Sequence, residues 1–396
     1  LTAYPLRVPL AVPYWNADTY RAAFRSVVTG HVADGSDLDQ LEGLLTRKLG
    51  VADALLCGSG SLALEIVLAH CGVAAGDEVV VPTFCCTAVV PPILNIGGAP
   101  VFADVGLELN MTVENFEAAA TPKTRAVIVP HLFGNPAEIE AIRELAHAKD
   151  IRIIDDAAQA LGATIDGRLV GSFGDAGILS FGLEKICSGI GGGVAVASRK
   201  NFFGEIHLPL ASTAAAIKRF ASTLFRRRWR RWTFPADKFS AAKLSPDEPP
   251  PAYPREGLSQ LAASVALRLV QNLDENIALR RARVKIYRQL LERHERLRLM
   301  PHRPGSACLA QVVRIVPKNH DDDPATRVIE TLRAAGYEVQ GSYVPIHLLP
   351  PYERWTKRSL PNAEKIWGHL VELPCEPTVA VDDIERIAAI VKRTVV

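Results

Sequence analysis

Between about residue 50 and residue 200 the chain alternates short, almost wholly apolar runs with longer periodic ones. Ala54–Cys57, Glu78–Val81, Val101–Ala103, Ala126–Pro130 and Ile151–Ile154 read as strands. Leu62–Ala69, Val113–Ala120 and Pro136–Ala148 read as helices, the last with Ile139, Ile142, Leu145 and Ala146 on one side. Strands that are apolar on both faces, separated by helices, predict an α/β fold whose large domain holds a mainly parallel sheet covered by helices. In such sheets ligands collect beyond the carboxyl ends of the strands, so the polar residues there are the first candidates for chemistry.

After about residue 200 the pattern changes. A long helical stretch, bent or divided, runs from about Leu258 to Glu295, with Leu261, Val265, Leu269 and Leu273 spaced by four. A strand at Gln311–Val316, a helix at Pro324–Ala335 stopped by Gly336, and a closing amphipathic helix at Ile384–Val391 follow. This predicts a large domain over residues 26–255 and a smaller C-terminal α+β domain over 256–396, joined by residues 1–25.

Composition narrows the class. Of 396 residues, 48% are hydrophobic and 22% charged, which argues against a largely disordered chain. A formal net charge of +2 gives no global case for nucleic-acid binding. Seven cysteines without a CxxC pair point to a reducing compartment, the cytoplasm, and to no metal centre. The uncharged run Val79–Ala103 is broken by Pro82, Pro91, Pro92 and Pro100 and reads as buried strand and loop instead of a membrane span.

Four segments converge if the sheet reading holds. Gly58-Ser59-Gly60-Ser61 lies between a strand and a helix, where N–H groups and hydroxyls can hold phosphate or simply form a turn. Asp155-Asp156, at the end of an apolar strand, either cap the next helix or meet a cation; adjacent strand residues point to opposite faces. Lys185, a few residues beyond Ile178-Leu179-Ser180, is either a solvated charge or an amine placed to attack a carbonyl. Gly189-Ile190-Gly191-Gly192-Gly193 lets backbone approach a ligand or makes a turn.

In this order the motifs resemble the PLP-dependent sugar aminotransferases of the DegT/DnrJ/EryC1/StrS family, of fold type I. The resemblance rests on SGSLAL at 59–64, GDEVVVPTF at 76–84, APVFADV at 99–105, TPKTRAVIVPHLFGNPAEIEAI at 121–142, IIDDAAQALGA at 153–163 and GRLVGSFGDAGILSFGLEK at 167–185. Weaker echoes lie in LSQLAA at 258–263, VPIHLLPPYE at 344–353 and LPCEPTVAVDDIERI at 373–387. It implies pyridoxal 5'-phosphate (PLP), alternating with its pyridoxamine form (PMP), an amino-acid donor, with glutamate favoured, and a keto-sugar acceptor, nucleotide-linked by analogy. Lys185 matches the cofactor-linking lysine, which the family's dehydratase branch replaces by histidine. Asp156 matches the partner of the pyridine nitrogen, Gln159 a residue beside the ring, and Gly60, Ser61 and Ser180 the phosphate contacts. His131 and His347 fall in motifs near the substrate side. A homodimer is the family expectation.

The sequence departs from the family at several points. Cys86 stands where an aromatic ring commonly stacks on the cofactor, and Ile186 where an Asn follows the lysine. Arg255 occupies the place of an Asn that reaches the neighbouring subunit's cofactor phosphate. These departures keep two alternatives in view: a divergent PLP enzyme on another keto or amino compound, and a catalytically weakened member serving in membrane or protein interaction.

The atypical interval of about 202–254 contains KRFASTLFRRRWRRW at 218–232, with seven basic residues and no acid. Phe220, Phe225, Trp229 and Trp232 approximate one helical face, an arrangement suited to the water–bilayer interface. Residues 218–232 therefore predict peripheral contact with the inner face of a membrane. Packing on the protein, docking of a partner and, least favoured, nucleic acid are the other readings.

Overall fold

The computed structural model describes residues 4–9, 12–229, 232–233, 251–319 and 321–395. Its centre is a seven-stranded sheet. In chain order the strands are β1 (Asp53–Cys57), β2 (Glu78–Pro82), β3 (Ala99–Ala103), β4 (Thr124–Pro130), β5 (Arg152–Asp156), β6 (Ala176–Ser180) and β7 (Gly193–Ala197). Their spatial order is β1-β7-β6-β5-β4-β2-β3. Only β7 runs antiparallel to its neighbours.

The apolar runs become strands because both faces are covered. Val80, Val127, Val129 and Ile153 enter one core, while Val79, Val81, Ile128 and Ile154 enter the other. Helices α1 (Ala17–Val28) and α2 (Ser36–Leu49) cover the first face, and α3 (Gly60–His70) covers the second. Helix α4 (Ile139–Ala148) buries Ile139, Ile142 and Ala146, three of the four predicted side chains.

The smaller lobe has three antiparallel strands, β8 (Leu297–Leu299), β9 (Ala310–Ile315) and β10 (Leu370–Pro374). The predicted helical stretch is divided, as the pattern suggests, into α6 (Gln260–Gln271) and α7 (Leu273–Leu291), which meet at Asn272. Helix α6 buries Leu261, Val265 and Leu269 in the large lobe's core beside Leu41 and Leu45. Beyond the expected boundary at 255/256, α6 and Leu273 and Ile277 of α7 pack on the large lobe, while Val284, Ile286, Tyr287, Leu290 and Leu291 pack in the smaller one. The N-terminal segment is divided likewise. Val8 bridges Tyr337 of the small lobe, whereas Trp15 and Ala23 lie in the large core.

The basic-aromatic stretch forms part of α5 (Thr213–Trp229). Phe220 is buried, stacked 6.2 Å from Trp15 and edge-on to Phe24 at 5.4 Å. Phe225 is 58% exposed. The single aromatic face is thus corrected: Phe220 turns inward and Phe225 outward, and Trp232 belongs to a short strand paired with Tyr4–Pro5. The side chains of Trp229 and Trp232 lie outside the described residues. Among the described residues no helix is long and apolar enough to cross a membrane, and no cluster of ligating side chains could hold a metal ion.

Candidate active site

The carboxyl ends of β5 and β6 face the amino end of α3, and a cavity of about 180 Å³ opens between them. It brings together Gly60, Ser61, Cys86, Asp156, Gln159, Ser180 and Lys185, seven of the residues expected from sequence. Their convergence follows from the topology. β7 returns between β1 and β6, and Gly193 lets it approach α3: an added Cβ there would lie 2.5 Å from the Gly60 N. At Gly191 and Gly192, φ is +107° and +106°, a conformation L side chains rarely adopt. The glycine cluster therefore serves close backbone approach.

Ser59 caps α3, its hydroxyl accepting from Leu62 N at 3.0 Å. Gly60 and Ser61 open the helix toward the cavity, with the positive end of the helix dipole behind them. A Cβ on Gly60 would reach 3.3 Å from the Ser180 Oγ, so the bare glycine leaves that side open. Ser180 Oγ accepts from Gly182 N at 3.3 Å, and Ser61 Oγ donates to the Ala88 carbonyl at 3.3 Å.

Asp156 is buried, and its Oδ1 accepts from Ala158 N at 2.9 Å. Burial pushes its carboxyl above the ordinary range, against the Ala158 N–H and the nearby Lys185 charge, which pull it down. Asp155, one residue earlier, faces the opposite side. Its Oδ2 accepts from Gly171 N at 2.7 Å and Phe173 N at 2.8 Å, which fixes the loop before β6.

Two anchors hold the Lys185 loop. Trp15 Nε1 donates to the Ser188 carbonyl at 2.9 Å, and Asn276 Nδ2 of α7 donates to the Ile186 carbonyl at 3.1 Å. Ile186 itself is buried in the core, so this departure from the family places an apolar side chain in packing. Gln159 has both amide ends engaged: Oε1 accepts from Phe133 N at 3.0 Å, and Nε2 donates to Tyr343 Oη at 2.8 Å. Its amide orients Tyr343 of the small lobe.

Three expected site residues stand elsewhere. His131 is fully buried, Nε2 donating to Asp155 Oδ1 at 2.7 Å and Nδ1 accepting from Ala137 N at 2.8 Å. Both ring nitrogens are engaged in the core, so none is left for substrate. His347 bonds Thr83 Oγ1 at 2.6 Å and Glu364 Oε1 at 3.2 Å, tying the small lobe to the large one outside the cavity. Burial lowers its pKa. Arg255 does not line its own chain's cavity; it clamps Glu65, with Nη1 at 2.9 Å from Oε2 and Nη2 on Oε1, while Tyr253 and Asn95 also donate to Oε2. Cys85 and Cys86 both carry free thiols.

Sequence reasoning missed a second chamber of about 560 Å³ that shares Cys86 and Lys185 with the first. The small lobe contributes Tyr343, Glu372 and Glu376, and α5 contributes Ser222 and Thr223. Phe133 stacks on Tyr343 at 6.0 Å and Phe84 meets it edge-on at 6.0 Å. An aromatic wall thus stands beside the thiol of Cys86. Tyr343 precedes the VPIH motif by one residue, which was the available signal for it.

Residues 16–392 match the DegT/DnrJ/EryC1/StrS aminotransferase family. The chain belongs to this family. It is a PLP-dependent aminotransferase of fold type I. Over 159 residues it is 43% identical to the UDP-N-acetyl-3-dehydro-alpha-D-glucosamine 3-aminotransferase of Acidithiobacillus ferrooxidans, a match spanning 40% of this chain and 43% of that relative. Over 392 residues it is 26% identical to the GDP-perosamine synthase of Vibrio cholerae, covering 97% of this chain and 98% of that one. The crystal structure of DesI, obtained in the presence of its TDP-sugar product, matches with a TM-score of 0.75 at 25% identity, over 99% of this chain and 93% of that one. In this aminotransferase seven of the ten residues matched to family motifs line the smaller cavity, and His131, His347 and Arg255 do not.

Proposed function

We propose that this aminotransferase moves an amino group from an amino acid, glutamate foremost, to a nucleotide-linked keto sugar. The observation that carries the reading is one cavity that joins the Lys185 amine, the buried Asp156 carboxyl and the serine-lined start of α3. These residues fit PLP. The open amino end of α3 with Ser61 and Ser180 suits a phosphate, and Asp156 suits a ring nitrogen.

When bound, PLP supplies a carbonyl that condenses with amines and a ring that takes up electron density, and it alternates with PMP between the half-reactions. Lys185 takes the proton from the donor's α-carbon and returns protons at the acceptor. The Asp156 carboxylate favours a protonated ring nitrogen; that cation in turn offsets the effect of burial on the carboxyl. Gln159 acts through Tyr343, whose hydroxyl it holds at 2.8 Å. The second chamber takes the acceptor. Its carboxylates Glu372 and Glu376, with Gln340 and Ser222, offer partners for sugar hydroxyls.

The relatives described above support nucleotide-linked sugars as a class. A homodimer belongs to the same reading, with the 60%-exposed Arg255 side chain available to a second chain. So does a membrane contact through the outward side of α5, where Ile217 and Phe225 are exposed. Flotation with anionic and neutral liposomes tests that contact, and equal, salt-insensitive recovery with both sinks it.

PLP-loaded protein incubated with a panel of amino acids and nucleotide-linked keto sugars tests the main reading, with mass spectrometry following both cofactor and sugar. PMP formation with glutamate and an aminated sugar are expected. No PMP with any donor overturns the transaminase reading, and PMP without sugar turnover overturns the acceptor. In Lys185→Ala, borohydride should no longer fix the cofactor covalently.

A further inference from the structure

At the opposite end of the sheet, where β4, β5 and β6 begin and β7 ends, lies a cleft of about 860 Å³. Five arginines line it: Arg125, Arg143, Arg152, Arg168 and Arg199. His70 and His147 add two imidazoles, and Asp175 is the sole carboxylate in the lining.

The arginines have local structural contacts, but these account for few of their donors. Arg125 Nε donates to the Gly72 carbonyl at 3.3 Å, and Arg143 Nη1 to the Phe173 carbonyl at 3.3 Å. Arg152 Nη1 meets Asp175 Oδ1 at 3.4 Å. Arg168 lies 4.4 Å over the Phe173 ring, with Nε on Ser172 Oγ at 2.9 Å and Nη2 on the Ser172 carbonyl, and Arg199 lies 5.2 Å over Phe202. Each guanidinium has five N–H donors, and neutral carbonyls and ring faces cancel no formal charge. Asp175 is itself shared, since Oδ2 accepts from Ile153 N at 2.9 Å and faces His147 Nε2 at 3.5 Å. Five like charges around one concave space repel one another unless an anion joins them.

We propose that this cleft binds a compact polyanion carrying two or more phosphate groups, at a site separate from the Lys185 cavity. Guanidinium forks match phosphate oxygens in pairs, and a single monophosphate could not neutralise the set. The space is of the size that small-molecule sites occupy, and its concavity, on a chain of net charge only +2, favours a small ligand over a polymer. Free diphosphate and a nucleoside diphosphate share this chemistry.

Isothermal titration calorimetry of the PLP-loaded protein, with the cofactor cavity filled, tests the site. The probes are inorganic phosphate, inorganic diphosphate and GDP. Diphosphate is expected to bind once per chain, at least tenfold tighter than phosphate. The double variant Arg143→Ala/Arg199→Ala should weaken it tenfold or more. Asp175→Asn, which removes the opposing charge and keeps an acceptor for Ile153 N, should tighten it; this decides the matter if the double variant fails to fold. GDP binding with the same dependence on both variants assigns the source as a nucleotide, and dependence for diphosphate alone assigns free diphosphate. Equal affinity in wild type and both variants, or no saturation by diphosphate below about 1 mM, overturns the site.

Discussion

Asp156 sits where protein meets cavity, with one carboxyl oxygen on a backbone N–H and the group pushed up by burial. Asp156→Asn keeps the shape and the Ala158 contact but removes the charge that, in the proposed function, favours a protonated ring. The oxo-acid production rate should fall about 10²-fold or more, with an unchanged circular dichroism spectrum. His302 carries a different prediction. Burial, with Arg288 nearby, lowers its pKa from 6.5 to about 4. The unfolded chain then binds a proton near pH 6.5 that the folded chain refuses until about pH 4, so stability drops as the solution is acidified through that window. Between pH 7 and pH 5 the urea-derived stability should fall by about 2 kcal/mol from this group, and His302→Gln should remove that share of the slope. At this scale the cavity residues were legible because their motifs are local. His131 and His347 were not: their place in the chain is the same whether a ring faces a ligand or, as here, Asp155 and Thr83.

Elements were readable wherever burial is symmetric. β2, buried at all five positions, begins and ends within a residue of its apolar run. Helix α5 was harder, because what decides its inward side is Trp15, far away in sequence. Phe220→Ala should cost about 3 kcal/mol in urea denaturation, and Phe225→Ala less than about 0.5 kcal/mol. The turn into β7 carries a further expectation. In Gly193→Ala the added methyl would meet Gly60 N and Cα at 2.5 Å and drive the first turn of α3 away from Ser180. PLP affinity, read from cofactor absorbance during dialysis, should weaken at least tenfold while the sheet persists.

Across the whole molecule the two lobes share one interior. Met300, Val312 and Ile346 of the C-terminal part lie in the same cluster as Val79 and Ile128 of the central sheet. Backbone bonds from Ala307 to Gly134 and from Leu309 to Phe133, both 2.8 Å, cross between them. Urea unfolding followed by tryptophan fluorescence and by circular dichroism should therefore give coincident single transitions; separated midpoints would contradict a common core. Composition changes near 255/256, while burial continues through α6, so the sequence shows the change and not the packing. Helix α7 gives the continuity a direction. Near its start Asn276 holds the Ile186 carbonyl, and near its end Tyr287 is buried in the small lobe, donating to the Pro374 carbonyl at 3.1 Å. A stiff rod gripped at both ends works as a tiller: any swing of the C-terminal lobe steers the residue next to Lys185.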